Sequence, residues 1–212
     1  MRDAYHEELE SILSDLADMT NSVGNAMASA TTALLDVDLQ LAQKVIDDDD
    51  SIDHVYYQIE MRAFDLMARQ QPVASDLRTL VTSLRMVADL ERAGDLALHV
   101  AKVARRRYPL SSVPPAMRST ILEMGQVAQL IMTKCGDVIR TRDVDLAHEL
   151  ERDDDAMDAL HRRIFGQILD LNVGLEVAID ITLVGRYYER FADHAVSVAQ
   201  RVVYLVTGEW VR

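Results

Sequence analysis

The sequence predicts an all-α protein of six long helices, arranged as two tandem antiparallel three-helix bundles. Turns are scarce, because the 212 residues include only 4 prolines and 8 glycines. Hydrophobic residues make up 49 % of the chain but aromatic residues only 5 %, which indicates an aliphatic, alanine-rich core and argues against a β-sandwich or barrel. The two halves of the chain also share short segments in the same order, which indicates an internal duplication.

The first half contains three helical runs. The first covers about 3–35 and ends at Asp36. The second ends at Gln70, because Pro72 disfavours helical dihedrals in the residue before it. The third covers about 74–108. Long helices with connections this short predict an elongated antiparallel bundle.

A loop with three prolines and two serines, 109–115, is the predicted linker between the halves. The fourth run covers about 116–141, and Asp143 is the expected N-cap of the fifth. The fifth run ends at Asn172, and the sixth continues to Thr207. The second half therefore repeats the organisation of the first.

Three ordered matches support the duplication. Asp36-Val37-Asp38-Leu39 recurs as Asp143-Val144-Asp145-Leu146, Asp49-Asp50-Ser51-Ile52-Asp53 as Asp154-Asp155-Ala156-Met157-Asp158, and Glu91-Arg92-Ala93-Gly94-Asp95 as Glu189-Arg190-Phe191-Ala192-Asp193. The predicted organisation is therefore a bundle over 1–108, a linker over 109–115 and a second bundle over 116–212.

Composition excludes several classes of function. The net charge of −13 and the pI near 4.8 have the wrong sign for binding nucleic acid. One cysteine, Cys135, and the lack of a long apolar segment predict a cytoplasmic protein without membrane insertion. The basic run Arg105-Arg106-Arg107 lies at a predicted helix end, where a capping role is favoured over a binding patch.

Acidic residues occupy positions that the helical period assigns to the core. Glu91 lies in register between Val87 and Gly94 on the third run, and Asp49 between Val45 and Ile52 on the second. Asp154 and Glu189 occupy the same places on the fifth and sixth runs. Each of these four helices therefore carries an acid on its packing seam.

Further carboxylates come close to these acids. Asp95 and Asp193 each follow a seam glutamate by four residues and share its helix face. Counting from the turn at Pro72 places Asp49 level with Glu91. Carboxylates clustered on an apolar seam need a counter-charge, a proton or a bound cation, and oxygen ligands suit hard or borderline divalent ions. In a metal-free alternative, the acids reach solvent and pair with Arg92 or Arg190.

At these residues the sequence resembles the PhoU family, accessory regulators of bacterial phosphate uptake. The family's E-R-I-G-D motif stands here as E-R-A-G-D at 91–95 and as E-R-F-A-D at 189–193, and Q-P-V-A-S-D-L-R at 71–78 is similar to the family's turn into the third helix. Ala93 and Ala192 depart from the usual residues but change no acid. The arginine run at 105–107 resembles that of actinobacterial members.

The resemblance implies a six-helix fold, often dimeric, and a role without catalysis. It implies an adaptor between the phosphate transporter's ATPase and a sensor histidine kinase, which the adaptor holds in its non-activating state. It also implies bound iron or zinc. The implied metal ligands are Asp49, Glu91, Asp95, Asp154, Glu189 and Asp193.

Two other hypotheses about the function stay open on the sequence alone. A ferritin-like di-metal oxidase usually needs E-x-x-H pairs, and neither motif has a histidine three residues after its glutamate. The other reading is a metal-free helical scaffold. His99 and His194 lie near the motifs but are less favoured as ligands, and His161 is expected to pack in the core.

Overall fold

The protein is an all-α bundle, as the sequence predicts. The computed structural model describes residues 2–209, with side chains described from Tyr5 onward, and within that range there are six α-helices, one 3-10 turn and no strand. The elements are α1 (Arg2–Asp36), α2 (Leu39–Gln70), α3 (Ala74–Arg107), a 3-10 turn (Pro115–Met117), α4 (Arg118–Thr141), α5 (Val144–Leu171) and α6 (Leu175–Thr207). Met1 and residues 210–212, the outer ends of the two predicted bundles, lie outside the described residues.

Local signals explain where the helices begin and end. The Asp38 carboxylate accepts a hydrogen bond from the Leu41 amide (2.9 Å) and caps α2. Asp143 does the same for α5 by accepting from the amides of Asp145 and Leu146, which confirms the predicted N-cap. α2 and α5 both end in a left-handed residue, so the turns into α3 and α6 are built alike.

Within each half, three helices pack against one another. α2 lies on α1 and α3, and α5 lies on α4 and α6. The halves then meet through α1 against α4 and α3 against α6. Both of these pairs are antiparallel: Arg118 at the start of α4 bonds Asp36 at the end of α1, and Arg106 at the end of α3 bonds Asp180 near the start of α6. The inner layer therefore consists of α1, α3, α4 and α6, with α2 and α5 outside it.

A continuous hydrophobic core runs through both halves. Tyr188 of α6 is fully buried, and its hydroxyl is 2.6 Å from the Thr31 hydroxyl of α1. A Cβ on Gly125 would approach Thr31 Cγ2 to 2.6 Å, so a side chain there would force either the Thr31 side chain or α4 to shift. The assignment of separate domains at 1–108 and 116–212 stays a prediction.

The loop between the halves packs against the protein. It begins with a cis peptide bond between Tyr108 and Pro109, and Ser112 and Val113 are buried. The 3-10 turn then leads into α4, which begins at Arg118, slightly later than the sequence predicts.

The basic run at the end of α3 joins the two halves. Arg106 and Arg107 both form ion pairs with Asp180, whose side chain is only 5 % exposed. Arg107 also pairs with Glu176 at 2.7 Å, and Arg105 donates to Gln43. All three arginines lie in the last turn of α3, where the sequence predicts a capping role. Arg106 and Arg107 also pair with carboxylates at the start of α6, which no local pattern reveals.

Candidate metal centres

The first acidic cluster lies where α2 crosses α3. Asp49 of α2 and Glu91 and Asp95 of α3 are all half-buried. A Cβ on Gly94 would lie 3.9 Å from Asp49 Oδ1, so the Asp49 carboxylate lies against α3 at the level of Gly94, the residue before Asp95. The lack of a side chain at Gly94 permits the close packing of Ile52, whose Cγ2 would lie 3.2 Å from that Cβ. The structure therefore brings the three sequence-predicted residues of the first half together.

The carboxylates of this cluster repel one another. Burial, followed by the negative charges of Asp95 and Asp53, raises the pKa of Asp49 to about 6, while Lys102 acts in the opposite direction. The pKa of Glu91 is also raised, by burial first and then by Asp95 and Asp53. The cluster therefore holds more negative charge than its neighbours neutralise.

The second half repeats this arrangement with Asp154 of α5 and Glu189 and Asp193 of α6. Burial, followed by the charges of Asp193, Asp158 and Glu189, raises the pKa of Asp154 to about 6. The Glu189 side chain is 15 % exposed, whereas Asp193 is exposed. The same electrostatic strain thus occurs in both halves.

The second cluster differs from the first by one arginine. Arg186, three residues before Glu189, forms an ion pair with it. The corresponding residue of the first half is Ala88. Within residues 5–209, Arg92 and Arg190 form no ion pair, although the charge of Arg92 opposes the rise in the pKa of Glu91. The ion pair with a cluster acid is made by Arg186 instead, in the second half.

Two further acids belong to these clusters and were missed as ligands. Asp53 raises the pKa of Asp49 and Glu91, and Asp158 raises that of Asp154. Each follows its seam aspartate by four residues, on the same helix face. The sequence contains a signal for these two acids, because Asp53 and Asp158 are the last residues of the repeated D-D-x-x-D segments. Each half therefore contributes acidic pairs from two helices.

The donor set of both clusters fits a hard or borderline cation in its chemistry. Carboxylate oxygens are suitable ligands, and their mutual repulsion is the strain that a cation relieves. Over the described side chains, however, no three His, Cys, Asp or Glu residues are gathered closely enough to hold one ion. Binding therefore requires side-chain rotation, and in the second half Glu189 must also leave Arg186.

The nearby histidines are engaged elsewhere. His99 Nδ1 donates to the backbone carbonyl of Asp95 (2.6 Å), and His194 Nδ1 lies 3.3 Å from Asp89. His161 packs its ring against Phe165, with 5.1 Å between ring centroids. The fold therefore directs these side chains to packing and hydrogen bonding, and the candidate ligands remain carboxylates.

Comparison with known proteins decides the family. The family model described as the PhoU domain matches twice, over residues 16–104 and 121–202, once in each half. The chain belongs to the PhoU family. The two matches include all six predicted ligands, so the acidic clusters lie within the family's own repeat.

Individual relatives agree with this assignment. This PhoU-family chain is 46 % identical over 210 residues to "Phosphate-specific transport system accessory protein PhoU homolog 2" of Mycobacterium tuberculosis, covering 98 % of this chain and 99 % of that protein. It is 45 % identical over 212 residues to PhoU homolog 1 of Mycobacterium leprae, covering 99 % and 96 %. These mycobacterial relatives support the resemblance to actinobacterial members.

A solved structure supports the fold. The crystal structure of PhoU from Pseudomonas aeruginosa superposes with a TM-score of 0.87 at 31 % identity, covering 97 % of this chain and 100 % of that chain. Across residues 2–209, no helix has both the length and the apolar character that crossing a membrane requires.

Proposed function

We propose that this protein is a non-enzymatic accessory protein of phosphate-specific transport, which represses phosphate uptake and phosphate-starvation signalling and binds metal ions. The observation that carries the proposal is the recurrence of one strained acidic cluster in both halves of a PhoU-family chain. Its relatives are named as accessory proteins of the phosphate-specific transport system. The two matched repeats support assigning this chain the same role.

The metal part of the proposal is argued from charge. Asp49 and Asp154 each have a pKa of about 6, because burial and neighbouring acids disfavour their ionised forms. A multivalent cation bound by Asp49, Glu91 and Asp95, or by their counterparts in α5 and α6, would supply the missing positive charge. Iron and zinc are the proposed ions.

The proposed partners are proteins. We infer that the chain acts in the cytoplasm as a homodimer and contacts the transporter's ATPase and a sensor histidine kinase, which it holds in its non-activating state. The net charge of −13 is suited to docking on basic faces of such partners.

Elemental analysis tests metal binding. Purified wild-type protein is compared with the double variant Glu91→Gln plus Glu189→Gln, which removes one acid from each cluster. We expect the double variant to lose at least half of its bound iron or zinc, because each site loses an anionic ligand. The matched control is Glu123→Gln plus Glu149→Gln, which removes the same charge from exposed positions and should leave the metal content unchanged.

The same three proteins serve in a pull-down of the sensor kinase, and a deletion strain reports phosphate-dependent repression. Loss of repression on deletion supports the regulatory role, and intact repression contradicts it. Equal metal content in all three proteins contradicts the metal part alone. Oxygen consumption by the iron-loaded protein would instead favour the di-metal oxidase.

One observation favours a metal-free scaffold as the second candidate. Arg186 already neutralises Glu189, so part of the second cluster is satisfied without a metal. This candidate predicts that a chelator-treated sample binds the kinase as well as an untreated one.

A further inference from the structure

A basic groove runs between α3 and α6 and borders the first acidic cluster, with which it shares Asp95. It encloses about 400 Å³ and is lined by Arg92 and His99 of α3 and by Arg186, Tyr187, Arg190 and His194 of α6. Its three guanidinium groups come from two different helices. In a chain with a net charge of −13, such a concentration of positive charge needs an explanation.

The charges in the groove are only partly balanced by the protein. Arg186 pairs with Glu189, and His194 is hydrogen-bonded to Asp89. Asp95 is the one acid among the lining residues. Within residues 5–209, Arg92 and Arg190 make no hydrogen bond and no ion pair, although both are exposed on the same groove. The charge of Arg92 acts on the neighbouring Glu91, but the N–H donors of both guanidinium groups stay available to an outside anion.

The antiparallel packing of α3 and α6 fixes this arrangement. The rings of His99 and Tyr187 meet edge to face, with 5.3 Å between centroids, across the two helices. Further along the same pair, Arg201 and His194 both bond the buried Asp89. The helices that carry Arg92 and Arg190 are thus held together on both sides of the groove. Like charges kept on one groove attract an anion to the space between them.

We propose that this groove binds a small anion through its phosphoryl group. A guanidinium presents several N–H donors in a planar fork that matches two oxygens of a phosphate, and such charge-assisted bonds are among the stronger hydrogen bonds in proteins. A tetrahedral dianion offers acceptors to Arg92 and Arg190 at once. The phosphoryl group can come from free phosphate or from a nucleotide, for which the Tyr187 ring offers a stacking surface.

This proposal does not rest on metal binding, although the groove shares Asp95 with the first acidic cluster. Arg92 and Arg190 directly follow the motif glutamates, but they line the groove, whereas the seam acids Asp49 and Asp154 lie with α2 and α5. A cation in either cluster could itself bind phosphate, so the test uses chelator-treated protein.

Isothermal titration calorimetry with inorganic phosphate and with ADP tests the proposal. We expect one saturable site in the chelator-treated wild type. The double variant Arg92→Gln plus Arg190→Gln should bind at least tenfold more weakly, because it loses both guanidinium groups that form no ion pair within the protein. Arg105→Gln removes an exposed arginine from α3 outside the groove, and this control should bind within twofold of wild type.

The outcomes distinguish free phosphate from a nucleotide as the ligand, and a specific site from general charge attraction. Tighter binding of phosphate identifies the free ion as the ligand, tighter binding of ADP identifies a nucleotide, and both support the site. Failure of the wild type to bind either ligand overturns the proposal, and so does an equal loss in Arg105→Gln, which would show general charge attraction. Matching circular dichroism melting curves establish that the variants fold. None of these outcomes bears on metal content, which tests the proposed function separately.

Discussion

At the scale of single residues, Asp49 and Asp154 are the most informative side chains. Each has a pKa of about 6, because it is half-buried and faces further acids. Their ionisation therefore works against folding in the metal-free protein at neutral pH. The same property that makes them candidate ligands makes them a source of instability without a cation.

Replacing Asp49 by Asn should stabilise the chelator-treated protein above pH 6. The folded-state pKa of about 6 exceeds the ordinary aspartate value of 3.8, so the folded state binds more protons between these values and wild-type stability falls as pH rises from 4 to 6. Asn carries no charge and avoids this loss. After allowance for solvent screening, we expect a gain of about 1 kcal/mol at pH 7.5 and none below pH 4.

Urea denaturation at several pH values measures this effect. Asp47→Asn is the control, because Asp47 is exposed on the same helix and lies outside the cluster. A gain that persists at pH 3.5, or an equal gain in the control, would contradict the cause assigned to the raised pKa.

The sequence predicts much of each acidic cluster but not its full electrostatics. The seam positions of Asp49, Glu91, Asp154 and Glu189 follow from the helical period, and the structure places each of them beside its partner helix. The Arg186 pair was visible as a three-residue spacing, but spacing alone does not show which way a long side chain turns. Rotamer choice depends on packing, which one sequence does not reveal.

At the scale of elements, the contact between α3 and α6 carries buried charges. Asp180 accepts hydrogen bonds from Arg106 and Arg107, and Asp89 accepts from Arg201. Burial alone would raise the pKa of Asp89, but the hydrogen bonds and positive charges of His194 and Arg201 together lower it. The two halves are thus joined by directional ion pairs as well as by apolar packing.

Removing the charge of Asp180 should weaken this junction. We expect Asp180→Asn to lower the free energy of unfolding by about 2 kcal/mol, because Arg106 and Arg107 lose a buried partner while Arg106 keeps access to solvent. Glu176→Gln is the matched control: its side chain is 82 % exposed, so its loss should cost less than about 0.5 kcal/mol. Urea denaturation of the two variants measures the difference, and equal losses would contradict the importance of burial.

Helix boundaries were predictable, whereas the lateral partners of the helices were not. Pro72, Asp143 and Gly208 mark ends that the structure reproduces, because breakers and caps act locally. Nothing local to α3 indicates that Arg106 and Arg107 meet Asp180, 73 or 74 residues along the chain. Such contacts depend on how two folded bundles pack, and only the three-dimensional arrangement shows them.

At the scale of the whole molecule, the halves share their core. Tyr188 of the second half is buried against Thr31 of the first, and buried apolar residues of both halves form one cluster. Separating the halves would expose faces of α1, α3, α4 and α6 to water.

We therefore expect the chelator-treated chain to unfold in a single cooperative transition. Differential scanning calorimetry should give one peak whose calorimetric and van't Hoff enthalpies agree. If the loop at 109–115 instead joined two independently folding domains, calorimetry would show two separate peaks, which would contradict this prediction. Cleavage within the loop followed by a second scan provides a control for its contribution.

Under the proposed metal-binding role, the two clusters should bind metal in a fixed order, because only the second has an arginine paired with its glutamate. A cation entering the first half meets Glu91 without a paired arginine, whereas in the second half it must first displace Arg186 from Glu189. Lys102 and Arg92 also place positive charge near the first cluster, but neither forms an ion pair with its acids. At low metal concentration, the first cluster would therefore fill before the second. The two halves of this duplicated protein would then respond at two different metal concentrations.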